Sequence, residues 1–309
     1  MNNVKNGPSL PPILVLVIGV LAVSTSSIFI RLAQEEAPSL VIAAYRLTLA
    51  GLVLAPIALT RHRAELSALK IVELILALIS GCFLALHFAA FISSLAYTSV
   101  ASAVVLATST PLWVALLAPI ILKESLSRQL LTGLALAFLG SSVVGFGEAC
   151  SWMDQQLICP PAAELLKNQS FFGNFLALFA AWMAVGYLLI GRRLRSKVTL
   201  VAYIFLVYGM AALILDLIVL LAGQSPLGYP PQTYLWFLLL ALVPQLLGHS
   251  TYNWALGHLS ATYVSIAVIA EPVGSTILAY FILKESPSAL EIFGAILILA
   301  GIYLASHYE

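Results

Sequence analysis

Apolar residues run along this chain in long uninterrupted blocks, separated by short polar connections. Ten blocks come close to the roughly 20 residues that an α-helix needs to cross about 30 Å of hydrocarbon. They fall at residues 13–30, 40–59, 71–92, 100–122, 130–146, 171–190, 200–222, 234–254, 262–283 and 291–306. Backbone groups in lipid must be satisfied within their own segment, so each block is predicted to be a helix. The short alternating runs of a membrane barrel are absent. The first block follows Lys5 but exceeds the apolar core of a secretory signal. It continues through Ser24, Thr25, Ser26 and Ser27 into further apolar residues, and is read as a retained span. The expectation is an all-α, multi-pass membrane protein of ten transmembrane helices.

Composition agrees and narrows the field. The 309 residues are 61% hydrophobic and 9% charged, against about 45–50% and about 25% in soluble domains. Water-soluble and disordered classes are excluded, and a net charge of +1 offers no basic field for nucleic acid. Lys and Arg concentrate in connections on one side: Lys5; Arg61, Arg63 and Lys70; Lys123 and Arg128; Arg192, Arg193, Arg195 and Lys197. The opposite side carries Arg31, Lys167 and Lys284. The positive-inside rule then places both termini in the cytoplasm, in the cytoplasmic (inner) membrane. Cys82 reads as a small buried hydrophobe. Cys150 and Cys159 share the extracytoplasmic 147–170 connection, where they form either a disulfide or two free thiols.

The pattern repeats. Ile-Leu-Lys-Glu-Ser at 121–125 returns at 282–286, an offset of 161 that also carries Pro111 to Pro272, Ser127 to Ser288, Gly133 to Gly294 and Gly140 to Gly301. Ala44-Tyr45 and Gly51 return as Ala202-Tyr203 and Gly209 at an offset of 158. A duplicated five-helix unit has an odd helix count, so its second copy enters the membrane inverted. Inverted repeats are a transporter architecture, with substrate near the midplane between copies.

Residues 13–146 and 171–306 resemble EamA domains of the drug/metabolite transporter superfamily. The likeness rests on Ala44-Tyr45-Arg46-Leu47 with Ala50-Gly51, on the prolines in spans four and nine, and on the Lys-Glu-Ser ending before a Gly-containing span. It implies two inverted five-helix repeats joined by an extracytoplasmic linker at 147–170, a small-molecule substrate and no cofactor.

Ionisable groups within the membrane are costly and become site candidates. Glu271 lies near the middle of span nine, before Pro272, whose missing donor frees a carbonyl one turn earlier. It reads as a proton- or cation-coupling site, a partner for a cationic substrate group, or a structural carboxyl. Its counterpart Thr110 precedes Pro111 and is either a cavity hydroxyl or bonded to its own backbone. Arg46 either snorkels or turns inward toward Glu271 or a substrate carboxylate. His87, and His249 with Tyr252 and Asn253, form polar patches that either line a cavity or pack. Tyr263, Trp113 and Trp182 could wall such a cavity or anchor helices at the interface. Asp216 is a second acid. Glu73 reaches water. Lys123/Glu124 and Lys284/Glu285 read as solvated helix ends, with mutual pairing the alternative.

The chain contains no H-E-x-x-H, G-x-S-x-G or Walker A string, so neither an intramembrane enzyme nor an ATP-driven pump is expected. No metal-ligand set is seen. The reading is a secondary active transporter exporting small metabolites, such as amino acids, or drug-like compounds. The alternatives are a passive channel and a polytopic receptor. Expected partners are substrate, lipid, a coupling proton or cation, and a second copy of the chain.

Overall fold

The structure, a computed structural model, describes residues 12–122, 128–147, 151–153, 156–158, 168–259, 261, 264 and 267–306. In chain order come α1 (Pro12–Ser24), α2 (Ser26–Gln34), α3 (Ser39–Arg61), α4 (Arg63–Ala68), α5 (Ile71–Ser94), α6 (Val100–Ala107), α7 (Thr110–Leu122) and α8 (Arg128–Gly147). A hairpin of β1 (Ser151–Met153) and β2 (Gln156–Ile158) interrupts the helices, with Trp152 opposite Leu157. Then follow α9 (Gln169–Arg195), α10 (Leu200–Leu221) and α11 (Pro231–Leu240), which continues through a π-helical stretch, Ala241–His249, into α12 (Ser250–Ala255). A 3₁₀ turn, Val268–Ala270, leads into α13 (Glu271–Leu278), a second π stretch, Ala279–Leu283, and α14 (Ala289–Ser306). Six continuous apolar helical runs are long enough to cross a membrane, and four shorter ones accompany them. The chain is a multi-pass helical membrane protein whose exposed large side chains, such as Phe138 and Leu221, face lipid rather than water.

Interruptions, more than the helices, position the interior. At Thr25 the first run breaks, and the Thr25 hydroxyl donates to Ala22 O at 2.7 Å. α6 stops at Thr108, and the chain restarts as α7 with Thr110 and Pro111 in its first turn. The 3₁₀ turn before Glu271 and Pro272 repeats this arrangement 161 residues later. Proline suits both restarts because the first turn of a helix has no use for its missing N–H. Pro244 is accommodated by the π stretch around it; such bulges cluster at functional sites.

Packing pairs α3 with α10, α8 with α14, α6 with α13, α5 with α9, and α1 with the first π stretch and α12. Glycine lets α8 and α14 close together. A Cβ on Gly140 would lie 2.6 Å from Gly294 O, and one on Gly301 would lie 2.5 Å from Gly133 O.

Candidate functional site

The helix breaks converge on a buried cavity of about 70 Å³. Arg46, Glu271, His87, His249 and Thr110 all line it, together with Ser26, Phe88, Tyr187 and Tyr252. Five of the residues singled out by sequence therefore meet at one place. Thr110 and Glu271, the first residues of α7 and α13, both line it, so the two restarted helices begin at the same space.

Arg46 is wholly buried. Its Nε donates to Gln245 Oε1 at 2.8 Å and its Nη1 to Ser26 Oγ at 2.7 Å. The guanidinium lies 4.1 Å from the centroid of the Phe88 ring. Its Nη2 has no partner. The protein thus holds two nitrogens of the planar fork, and the third has no partner among the described residues. Among the described residues, the ion pairs within 4 Å are Arg31–Glu285 and His62–Glu65. Arg46 and Glu271 share the cavity without pairing with each other.

His87 Nδ1 is 2.9 Å from Ala180 O, and the His87 and His249 rings are 6.4 Å apart. His249 Nδ1 and the Tyr252 hydroxyl have no hydrogen-bond partner among the described residues. Thr110 bonds back to Ala107 O at 3.1 Å, so its hydroxyl proton is already used within the helix break.

Other expectations change. Asn253 is fully buried but does not line the cavity. Its amide donates to the Tyr187 hydroxyl, to Tyr208 at 3.3 Å and to His249 O at 2.9 Å, bracing the wall from behind. Trp113 and Trp182 line a separate groove rather than this cavity. Asp216 accepts from Thr48 at 3.1 Å, away from the cavity. Lys284 does not pair with Glu285. It adopts a left-handed backbone (φ 61°) and bonds Phe281 O, while Glu285 pairs with Arg31 at 2.6 Å. Cys82 is free and only partly buried. Tyr263, Cys150, Cys159, Lys123 and Glu124 lie outside the described residues.

Sequence reasoning passed over Gln245 and Ser26, the two residues that hold Arg46. A polar amide directly after a proline inside an apolar span was the available clue for Gln245.

The EamA-like transporter family matches the chain twice, over residues 10–146 and 171–307. An uncharacterized transporter of Archaeoglobus fulgidus is 25% identical over 298 residues, covering 95% of this chain and 96% of its own. The uncharacterized transporter YyaM of Bacillus subtilis is 24% identical over 229 residues, covering 71% of this chain and 68% of its own. A solved crystal structure shares the fold, with a TM-score of 0.67 at 18% identity over 95% of this chain and 96% of that one. With both halves matched, the chain belongs to the EamA-like transporter family, within the drug/metabolite transporter superfamily.

Proposed function

We propose that the protein is a secondary active transporter of small metabolites or drug-like compounds, exporting them across the cytoplasmic membrane by alternating access. The Arg46–Glu271 cavity is its substrate and coupling site. The observation that carries this reading is a buried Arg46 guanidinium nitrogen without a partner among the described residues, on a cavity that Glu271 also lines. Arg46 Nη2 receives an anionic or carbonyl oxygen of the substrate. Glu271 receives either a substrate cation or the coupling proton.

A ten-helix arrangement of two inverted repeats, residues 13–146 and 171–306, is supported by the packing. Shifting by 161 residues carries the Gly140–Gly294 contact onto Gly301–Gly133. The two contacts run in opposite directions along α8 and α14, as a two-fold axis across the helices requires. The shift also carries the bond from Arg31 to Leu95 O (2.6 Å) onto the bond from Arg192 to Leu256 O (2.8 Å). With the termini cytoplasmic, Arg31 and Glu285 lie at the extracytoplasmic end.

At about 70 Å³ the cavity has room for little beyond water, whereas ligand pockets occupy roughly 300–1,000 Å³. Substrate entry therefore requires the halves to move, which fits alternating access. The test is counterflow in proteoliposomes with Glu271→Gln. A coupling role predicts that trans-stimulated exchange survives while pH-dependent accumulation is lost. An unchanged pH profile in a well-inserted variant would refute it.

A further inference from the structure

A second concavity, about 410 Å³, opens between α6, α7, α8 and α9. It is lined by Trp113, Trp182, Phe138, Phe175, Ser141 and Asn174, and no charged side chain borders it. The helix break separates it from the central cavity. Thr108 and Thr110 face the central cavity, whereas Ser109 between them faces the groove.

The indole rings of Trp113 and Trp182 meet edge to face, with centroids 5.2 Å apart. Trp113 Nε1 is satisfied by Ser109 Oγ at 3.2 Å. Two other buried donors are not: Trp182 Nε1 and Asn174 Nδ2 have no acceptor among the described residues. Asn174 is only 5% exposed, and its Oδ1 already accepts from Thr98 at 2.7 Å. A buried N–H left unpaired is costly, and native proteins rarely leave one so. A lipid acyl chain would fill the aromatic volume but carries no acceptor for Trp182 Nε1, near the middle of span six. An aromatic ligand with a carbonyl or ether oxygen would pack against the rings and accept from Trp182 Nε1.

We infer that this groove is a second ligand site, which takes uncharged aromatic amphipaths bearing a hydrogen-bond acceptor from the bilayer. An occupant touches Ser109 and so rests on the same broken turn that walls the central cavity. Capture here needs neither Arg46 nor Glu271.

Benzophenone, an uncharged diaryl ketone that crosslinks under near-ultraviolet light, is the probe. The full chain in lipid nanodiscs is labelled and the attachment sites are mapped by mass spectrometry. Saturable labelling should concentrate in the peptides containing residues 106–113, 137–142 and 171–182. Fluorenone should compete at least fivefold better than fluorene, which has nearly the same shape without the acceptor. Trp182→Phe, which keeps an aromatic ring and removes the donor, should reduce groove labelling about five- to tenfold, as expected for one lost hydrogen bond of about 1–1.5 kcal/mol. Glu271→Gln should leave labelling unchanged, so failure here and failure of the coupling site are separable. Even labelling of all lipid-facing segments, labelling centred on the Arg46 cavity, or equal competition by fluorene and fluorenone would each overturn the inference.

Discussion

Arg31 and Glu285 fasten together three segments distant in sequence, and breaking that clasp should change which side of the membrane reaches the cavity. Arg31 gives Nε (3.0 Å) and Nη2 (2.6 Å) to Glu285 Oε1, and its Nη1 binds Leu95 O at 2.6 Å. Glu285 Oε2 accepts the first N–H of α6, from Val100, at 3.0 Å. Next to it, Glu291 accepts from Ser102 at 2.9 Å and also holds Ser99. The end of α2, the start of α6 and the loop before α14 are thereby closed over one end of the bundle, extracytoplasmic in the proposed orientation. Charge-assisted hydrogen bonds contribute about 1.5–3 kcal/mol when shielded from water. The side chains here are 30% and 24% exposed, so screening reduces the pair to about 1–2 kcal/mol. Glu285→Gln keeps the shape and an acceptor for Val100 while removing the charge. That loss should raise the outward-open population about 5- to 30-fold, provided the open state is the minor one. The assay uses Ala184→Cys, a small cavity-lining position, in a background with Cys82, Cys150 and Cys159 replaced by Ser. Its modification by a membrane-impermeant thiol reagent from outside should accelerate by that factor. Arg31→Gln should do the same, and the double variant should add little. Unchanged rates, or strictly additive ones, would refute the clasp.

Five further outcomes are expected. Glu271→Gln should abolish pH-dependent accumulation while exchange persists, as set out above. Gly140→Ala and Gly301→Ala should each destabilise the protein by about 1–3 kcal/mol, because the added methyl meets backbone oxygen of the facing helix. Gly51→Ala and Gly209→Ala, with nothing within 4 Å, should be neutral or stabilising in thermal unfolding. Arg46→Lys keeps the charge but loses the fork that spans Gln245 and Ser26; apparent affinity for carboxylate-bearing substrates should fall at least tenfold, and less for cationic ones. At the joint between α4 and α10, burial acts to raise the Glu65 carboxyl. Bonds from the Thr199 hydroxyl and amide and from His62 outweigh it, so the group titrates below its usual value. A lowered folded-state value stabilises above the ordinary carboxylate range, and that stability is lost as pH falls through the lowered value. Glu65→Gln should therefore flatten the acid limb of a Tm-versus-pH profile.

How far the sequence could be read depended on the physics behind each feature. Helix-forming blocks were legible because lipid forbids unsatisfied backbone, and Arg46 and Glu271 because a charge in hydrocarbon must be accounted for. For Asn253 and Trp113 both placements stayed open, for a different reason. Face assignments assume a constant 100° per residue, and the π stretch before Ser250 and the break at Thr108 each reset that phase. Trp113 lies beyond the reset and turns to the outer groove. Gln245 has Leu84 as its counterpart at the 161 offset, so a search guided by the repeat had no reason to stop there. The Arg31–Glu285 contact joins residues 254 apart, and no local pattern reports it.

The repeat and the site chemistry follow opposite rules, and that contrast bears on how a ligand would sit. The 161 shift preserves backbone features: two restarted half-helices, two glycine contacts, and two arginines bonded to leucine carbonyls. It does not preserve the groups that face the cavity. Glu271 corresponds to Thr110 and His249 to Phe88, whose rings lie 5.1 Å apart across the cavity wall. The fixed cation comes from the first half and the acid from the second. A symmetric scaffold can move in two equivalent ways, but a cavity with its cation on one side and its acid on the other cannot accept a polar ligand in two equivalent orientations. Under the proposed mechanism, a ligand bearing opposite charges or a strong dipole would therefore keep one orientation throughout the transport cycle, with its anionic end held by Arg46 while Glu271 exchanges partners.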